Sequence, residues 1–329
     1  MDVQKVMLET APGVKVTKLG FLSHDGATQV KALMWAPING KGTSPKAVIQ
    51  LAHGMEEHIF RYIEFANYLA QQGFVVCGAD MIGHGRSVAS PERISCIPLA
   101  EGKDILIEDA HELRKTATAR FSRKTPYFVF GHSMGSLLMR AYIASYGEGL
   151  SGAILSGTSQ EPLAKISAAN ALAKMIARSK GEDYKSEFLE SLVVGAFNKG
   201  IASPRTKLDW LCTDEAVVDA YIEDSWCGVP FSAGGHATLT DIAKEAASAS
   251  CAAKVPKNLP LFFFSGALDP VGKCGAGVEK SAEMLRRAGL TRVDLKLYEG
   301  MRHEAINEPG KKQVFSDVVE WVESVLSEI

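Results

Sequence analysis

The chain has 329 residues, of which 46% are hydrophobic and 22% charged, and its formal net charge is −2. This length suits one large domain with an insertion, and the balanced composition excludes disordered, collagen-like and coiled-coil chains. Basic and acidic residues are interspersed, so we expect no nucleic-acid partner. Met1–Lys5 lacks the pattern of a signal peptide, no apolar run reaches about 18–20 residues, and the six cysteines are scattered. These features predict a cytoplasmic protein with reduced thiols.

Short β-rich runs alternate with helical runs through the first half of the chain. This alternation is typical of a mostly parallel sheet that is covered by helices on both faces. In chain order, the pattern predicts strands at 16–23 and 28–36 joined by a hairpin turn, a strand at 47–51, a helix at 62–72, a strand at 74–79, a helix at 101–121, a strand at 127–130, a helix at 134–146 and a strand at 152–156.

The alternation stops between residues 158 and 255, where the sequence predicts helices and no strong strand. Within this stretch, the apolar run Ala168–Arg178 either forms a wall for a substrate or packs as part of the stretch's own core. The alternation then resumes with a strand at 261–264, a helix at 277–288, a strand at 293–298 and a helix at 311–326. We therefore predict an α/β core formed by residues 1–157 and 256–329, with residues 158–255 inserted as a helical cap.

The string Gly131-His132-Ser133-Met134-Gly135 follows a predicted strand and opens a predicted helix. A G-x-S-x-G string in this setting is typical of a nucleophile elbow, in which a tight turn lifts the serine hydroxyl clear of the sheet. Only residues without a Cβ allow the neighbouring backbone to come so close. We therefore predict that Ser133 is the nucleophile of a hydrolase with the α/β-hydrolase fold.

A serine hydroxyl needs a neighbouring base and an acid that orients this base. In this fold the chain order is serine, acid, histidine, which leaves two of the eight histidines, His236 and His303. His303 follows the last predicted strand, where α/β folds place their chemistry, whereas His236 lies within the predicted cap. Asp269 follows the apolar strand at 261–264 and precedes Pro270. We predict Asp269 and His303 as the other two members of a catalytic triad.

The tetrahedral intermediate needs two N–H donors. We expect one from Met134, at the start of the helix after the nucleophile, and the other from Met55, in the loop after the strand at 47–51. Three histidines, His53, His58 and His84, lie in nearby Gly-containing loops, but their spacing matches no set of metal ligands. We therefore predict that the chain needs neither a metal nor a cofactor.

Together these motifs resemble the monoacylglycerol lipase and lysophospholipase branch of the α/β-hydrolases, which is also grouped with the serine aminopeptidases (S33-like). The resemblance spans most of the predicted core. It is carried by His53-Gly54, Glu57-His58, Arg61-Tyr62, Gly83-His84-Gly85, Ser87, Gly131–Gly135, Asp269-Pro270 and His303-Glu304, and in the cap by Asp209-Trp210-Leu211 and Asp219-Ala220-Tyr221.

The resemblance implies cleavage of a small acyl ester, such as a monoacylglycerol or a lysophospholipid, through an acyl-enzyme. It implies the same triad and the same two N–H donors as the residue pattern. It also implies that three further residues lie near the polar head of the substrate: Glu57, Arg61 and His132.

The chain departs from the mammalian lipases of this branch at Ile306, where they carry a second histidine. This departure leaves general carboxylesterase or lysophospholipase activity open. An aminopeptidase, with Glu57 or a cap carboxylate holding the substrate's amine, and an acyltransferase also remain open. A non-catalytic ligand receptor would be expected to lack a member of the triad, and none is missing. Transient contact between the cap and a membrane surface is open as well, and the sequence predicts no oligomeric state.

Overall fold

The computed structural model of the chain describes residues 10–38, 44–195 and 197–329. The segment Met1–Lys5, on which the signal-peptide expectation depends, lies outside the described residues. Across the described ranges, no helix is long and apolar enough to cross a membrane.

Eight strands form one sheet, in the order β1-β2-β4-β3-β5-β6-β7-β8. The first two pairings, β1 with β2 and β2 with β4, are antiparallel, and all the others are parallel. The mostly parallel sheet predicted from the sequence is therefore confirmed. The strands are β1 (Val14–Leu22), β2 (Gln29–Pro37), β3 (Val48–Ala52), β4 (Val75–Asp80), β5 (Tyr127–His132), β6 (Gly152–Ser156), β7 (Leu261–Gly266) and β8 (Val293–Tyr298).

The described helices lie between these strands and after the last one, and most of those predicted for the core begin and end within three residues of the prediction. They are α1 (Ile63–Gln71), α2 (Gly102–Thr118), α3 (Met134–Tyr146), α4 (Leu163–Lys180), α5 (Glu187–Val193), α6 (Glu215–Glu223), α7 (Ala233–Ala246), α8 (Ala249–Lys254), α9 (Ala276–Arg287) and α10 (Lys311–Leu326).

The central strands β3, β5, β6 and β7 are buried along their whole length and mostly apolar, because both faces of the sheet are covered. Every residue of β7 is buried, and its side chains alternate between two hydrophobic clusters. Phe263 belongs to the cluster that includes Leu138 of α3, whereas Phe262 and Phe264 belong to the cluster that includes Val318 of α10. An uninterrupted run of phenylalanines therefore fills both cores at once.

Helices α4 to α8 occupy the chain between β6 and β7. The middle of α4 packs closely on α7 through small side chains: Ala173 and Ala177 of α4 are buried with Ala233 and Ala237 of α7. The amide of Asn170 reinforces this contact, since its Nδ2 donates a hydrogen bond to the Ala237 carbonyl at 3.1 Å. The middle of α4 thus serves the core of the helical segment itself.

The parallel strands β3, β5, β7 and β8 all end at the same edge of the sheet. Chain segments that follow such ends meet there, even when they are far apart in sequence. The loops after these four strands carry the residues that were predicted to do the chemistry, and the fold places them together.

Candidate active site

Ser133 occupies a strained turn between β5 and α3, with φ 54° and ψ −120°. Glycines on either side make this turn sterically feasible. A Cβ on Gly131 would lie 2.3 Å from the carbonyl oxygen of Gly135, and a Cβ on Gly135 would lie 2.2 Å from that of Ala52. The Ser133 amide donates a hydrogen bond to the Ser156 carbonyl at 2.9 Å, which ties the turn to β6. Strain of this kind persists only where the surroundings fix it.

His303 and Asp269 form a buried pair beyond the ends of β8 and β7. The His303 Nδ1 lies 3.0 Å from the Asp269 Oδ1, and both side chains are at most 1% exposed. Asp269 also accepts hydrogen bonds from the Ser265 hydroxyl at 2.7 Å and from the Val271 amide at 2.9 Å. Because the carboxylate is held by these donors, it fixes the orientation of the imidazole and requires its proton on Nδ1.

The other ring nitrogen of His303, Nε2, therefore carries a free lone pair. It is buried and has no hydrogen-bond partner among the described residues. Ser133 and His303 line the same cavity, with His132 beside them. A Cβ on Gly157 would lie 3.0 Å from the Cε1 atoms of both His132 and His303, so only a glycine fits there. This arrangement leaves Nε2 available as a base.

The surroundings shift the pKa values of His303 and His132 in opposite directions. Burial by itself lowers the pKa of His303, but the negative charges of Asp269, Glu304 and Glu57 more than offset it and raise this pKa above its ordinary value. Burial, followed by the positive charge that His303 can carry, lowers the pKa of His132 to about 4. His132 is therefore neutral at pH 7, and the positive charge that forms during a proton transfer is stabilised on His303.

Both predicted N–H donors lie at this cavity. Met134 is the first residue of α3, so its amide has no partner within the helix. Met55, in the loop after β3, lines the cavity together with Met134 and Ser133. The loop lies against the nucleophile, since a Cβ on Gly54 would be 3.2 Å from the Ser133 Cβ.

The predicted head-group residues belong to a buried ionic network. Arg61 contacts Glu57 at 2.7 Å and binds both carboxylate oxygens of Glu304 at 2.6 Å. The Tyr62 hydroxyl donates a hydrogen bond to Glu57 at 2.7 Å. Burial raises the pKa of Glu57, but the positive charge of Arg61, together with the smaller effects of His132, His53 and the Tyr62 hydrogen bond, outweighs it and lowers the pKa to about 2. The network therefore holds the ionised Glu57 close to the site.

The structure does not bring all three predicted head-group residues to the cavity surface. Glu57 and His132 line the cavity together with Glu304. Arg61 lies behind them, with its guanidinium 4.7 Å from the centroid of the Tyr221 ring. Its donors are occupied by carboxylates, so its role is to hold Glu57 and Glu304 in place.

With this geometry established, comparison with known proteins decides the family. The model of a family described as serine aminopeptidase, S33, matches residues 43–310. The chain belongs to this family.

The relatives of this hydrolase include lipases and esterases. The monoacylglycerol lipase of Mycolicibacterium smegmatis is 29% identical over 302 residues, which cover 92% of this chain and 95% of that one. A thermostable carboxyl esterase from Bacillus coagulans, solved with glycerol, has a TM-score of 0.84 at 28% identity and covers 94% of this chain and 99% of its own. A variant of the monoglyceride lipase from Saccharomyces cerevisiae, solved with a substrate analogue, has a TM-score of 0.72 at 18% identity and covers 96% of each chain, which shows the fold. The predicted α/β-hydrolase fold and the predicted family are confirmed.

The cavity of this hydrolase measures about 260 Å³ and extends from Ser133 between the sheet edge and the helical segment. Most of its wall is apolar and comes from that segment. The apolar side chains of the wall include Leu137, Ile166, Leu192, Val193, Val194, Phe197, Leu208, Leu211, Leu239 and Val271.

Two alternatives were left open for Ala168–Arg178, and the structure favours packing within the helical segment for most of that run. Within the run Ala169 lies on the lining of the cavity, next to Ile166, which precedes the run. Met175 is 60% exposed to solvent, and Leu172 packs against the small core of the helical segment. The apolar stripe continues along α4, but beyond the cavity its buried residues, Ala173 and Ala177, pack against α7.

Trp210 is a residue of this hydrolase to which the sequence analysis gave no role. Its ring centroid lies 5.1 Å from that of His303, and it lines the cavity. The next residue, Leu211, accepts a hydrogen bond from the Glu304 amide at 2.8 Å through its carbonyl. Trp210 thus packs beside the His303 imidazole. The sequence signal was the Asp209-Trp210-Leu211 string, which was noted only as a family resemblance.

Two of the three loop histidines, His53 and His84, make hydrogen bonds to backbone groups. His53 donates from Nδ1 to the Gly54 carbonyl at 2.7 Å and accepts from the Met81 amide at Nε2, 3.0 Å away. His84 donates from Nδ1 to the Ile82 carbonyl at 2.9 Å.

A different buried group among the described residues, His58, Asp224 and Cys227, has a spacing that could hold an ion. There the His58 Nε2 already makes a hydrogen bond to Asp224 at 2.9 Å, which ties the loop after β3 to the chain after α6.

Proposed function

We propose that this chain hydrolyses monoacyl esters through an acyl-enzyme on Ser133, with His303 as the general base and Asp269 as the orienting acid. The class of reaction, hydrolysis of a carboxylic ester, follows from the family and from relatives that are lipases and esterases. The observation that carries the assignment of residues is the buried His303 Nε2, unpartnered among the described residues, in the same cavity as the strained Ser133.

In the proposed mechanism, His303 Nε2 takes the proton of the Ser133 hydroxyl as its oxygen attacks the ester carbonyl. The Met55 and Met134 amides stabilise the oxyanion that forms, and Asp269 stabilises the imidazolium. The tetrahedral intermediate then collapses, and His303 gives its proton to the departing alcohol. A water molecule, deprotonated by the same nitrogen, attacks the acyl-enzyme and releases the fatty acid. No metal or cofactor enters any step.

The shape and polarity of the cavity support a substrate with one acyl chain and a polar head. The apolar wall suits the chain, whereas the end near Ser133 carries Glu57, His132 and Glu304. A cavity of about 260 Å³ is small among ligand pockets, which often reach several hundred Å³, and this favours one acyl chain over several. We propose Glu57 and His132 as head-group contacts and Arg61 as the residue that positions Glu57.

The contacts of Glu57 argue against its use as an amine anchor in an aminopeptidase. Its carboxylate already binds Arg61, the Tyr62 hydroxyl and the Gly54 amide. A substrate ammonium group would have to compete with a guanidinium that is buried and fixed. A neutral, hydroxyl-bearing head group of an ester can contact this carboxylate without displacing the guanidinium.

We propose that residues 158–255 act as a cap over the site, since α4, α5 and the chain before α6 supply most of the apolar wall. Several large apolar side chains of this stretch are exposed, among them Met175 of α4 and Phe188 and Leu192 of α5. Leu192 also lines the cavity. Such exposed apolar side chains support transient contact with a lipid surface from which a monoacyl substrate enters. We propose the cytoplasm as the location, and the six cysteines, all free in the described chain, suit a reducing compartment.

The proposal is tested with Ser133→Ala, and Ser327→Ala, an exposed serine in the last turn of the chain, serves as the matched control. We expect Ser133→Ala to lower kcat on p-nitrophenyl esters and on a monoacylglycerol by about 10³-fold or more, and to abolish labelling by a fluorophosphonate. Its melting temperature should remain that of the wild type. Aminoacyl-nitroanilides and EDTA complete the panel. Near wild-type turnover of Ser133→Ala, faster cleavage of the anilides, or a loss with EDTA that zinc restores would each contradict the proposal.

A further inference from the structure

Glu56 follows the proposed oxyanion donor Met55 and has a left-handed backbone, with φ 56°. A glycine adopts this conformation readily, whereas a residue with a side chain does so at a cost. A strained backbone persists where other contacts determine it, so the side chain or the peptide groups of Glu56 must be held.

The contacts of Glu56 hold it on both sides. Its Oε1 accepts a hydrogen bond from the Phe231 amide at 3.1 Å. Its backbone carbonyl accepts one from the Gly228 amide at 3.0 Å and one from the Tyr221 hydroxyl at 2.8 Å. All three donors lie between the middle of α6 and the residues just before α7. Glu56 alone therefore connects the loop after β3 to the helical segment through three hydrogen bonds.

The Glu56 carboxyl also meets a second carboxyl, that of Glu190 in α5, and both line the cavity. Burial and then the negative charge of Glu190 raise the pKa of Glu56 well above its ordinary value. The other titratable groups that face this pair are Lys185, before α5, and His236 of α7, whose Nε2 lies 3.5 Å from the Glu190 Oε2.

We propose that Glu56 is a positioning residue that fastens the loop after β3, the oxyanion loop, to the helical segment and so fixes the direction of the Met55 N–H. This inference rests on the proposed function, because it assigns a task to the loop that supplies one oxyanion donor. The bond from Phe231 holds the side chain, the bonds from Gly228 and Tyr221 hold the peptide, and Met55 lies immediately before them in the chain. When Glu56 ionises, the negative charge of Glu190 repels its carboxylate and works against the side-chain anchor, whereas the two bonds to the backbone carbonyl are unaffected.

The first test is Glu56→Gly. Glycine accepts the left-handed backbone, so the variant removes the side-chain anchor without adding strain. Deleting an oxyanion donor costs about 10²–10³ in kcat, and a misdirected donor is expected to cost about tenfold to a hundredfold. KM should change less than about twofold. A trifluoromethyl ketone that forms the tetrahedral adduct should bind more weakly by the same factor as kcat falls, whereas a non-hydrolysable ether analogue should bind as it does to the wild type.

The second variant is Glu56→Gln, which mimics the protonated carboxyl because it can accept from Phe231 and donate to Glu190. We expect it to restore kcat to within about threefold of the wild type. The wild type should lose kcat as the pH rises through the raised pKa of Glu56, and Glu56→Gln should lack this alkaline loss. Glu187→Gln, on an exposed face of α5, is the matched control and should keep the wild-type profile.

Three results would overturn the inference. In the first, Glu56→Gly keeps kcat within twofold. In the second, it weakens the ketone and the ether analogue equally, which is the mark of a merely structural role. In the third, Glu56→Gln retains the alkaline loss, and this result decides the matter even if Glu56→Gly does not fold. Ser133→Ala distinguishes a failure of the proposed function from a failure of this inference. An active Ser133→Ala contradicts the proposed function, whereas an unaffected Glu56→Gly contradicts only the positioning role of Glu56.

Discussion

Replacing Arg61 with methionine should destabilise the protein by about 3 kcal/mol at pH 7. Arg61 neutralises Glu57 and Glu304, whose side chains are only 4% and 3% exposed. The pKa of Glu57 falls from 4.5 to about 2 in the folded protein, which corresponds to about 3 kcal/mol of stability at neutral pH. This agrees with the about 3–5 kcal/mol that is lost when one partner of a buried ion pair is removed.

The sign of the pH dependence gives a second readout for Arg61→Met. In the wild type, the contribution of Glu57 is fully present above 4.5, the pKa of the unfolded chain, and is lost as the pH falls toward 2. In the variant, Glu57 is a buried carboxylate without its cation, so its pKa rises. Protonation then removes the cost of burying an unpaired negative charge. The difference in stability between the two proteins should therefore narrow as the pH falls from 7 to 4.

Guanidinium chloride unfolding at several pH values measures both effects. Arg287→Met, a change in an exposed arginine of α9, is the matched control and should cost less than about 0.5 kcal/mol. Removing the charges together, by Arg61→Met with Glu57→Gln and Glu304→Gln, should recover most of the loss. A loss below about 1 kcal/mol for Arg61→Met, or a difference that does not change with pH, would refute the reasoning.

Two further predictions concern the catalytic pair and the acyl wall. Because the Asp269 carboxylate raises the pKa of His303, kcat/KM of the wild type should rise with pH through an apparent pKa above the ordinary value for histidine. Asp269→Asn should lower kcat by about 10³–10⁴-fold and move this rise to lower pH, and a variant within tenfold of the wild type in a pH-stat assay would contradict the pairing. Ile166→Trp, at the cavity, should lower kcat/KM for a dodecanoyl ester by about tenfold or more while sparing the acetate ester, whereas Met175→Trp on the exposed side of the same helix should change neither. An equal effect of Ile166→Trp on both esters would show that it disturbs the fold and not the wall.

The parts of the site that follow from local sterics could be predicted from the sequence. The turn at Ser133 requires glycine at 131 and 135 because the backbone approaches both positions to within about 2.3 Å of where a Cβ would stand. Asp269 and His303 were predicted from chain order and position, since each follows a strand whose end must lie at the same edge of the sheet. Local constraints of this kind leave a local pattern in the sequence.

The pairs that connect distant loops could not be predicted. Arg61 and Glu304 are 243 positions apart, and His58 and Asp224 are 166 apart. A charged residue in a loop has the same local pattern whether it faces water or a partner from another loop. The wall of the cavity posed a similar problem, since the period of α4 predicts an apolar stripe but not which part of that stripe α7 will cover. Both outcomes depend on contacts across the whole fold.

These distant contacts indicate that the helical segment does more than cover the cavity. The loop of His303 is held to it by the Leu211 carbonyl, which accepts from Glu304, and by Arg302, which donates to the Asp209 and Cys212 carbonyls at 2.7 and 3.0 Å. The oxyanion loop is held to it through Glu56. Ser133, in contrast, is fixed by the sheet and its own turn. A change within the segment therefore reaches the proposed base, His303, and the proposed oxyanion donor Met55 but spares Ser133, so it should alter kcat as well as the choice of substrate.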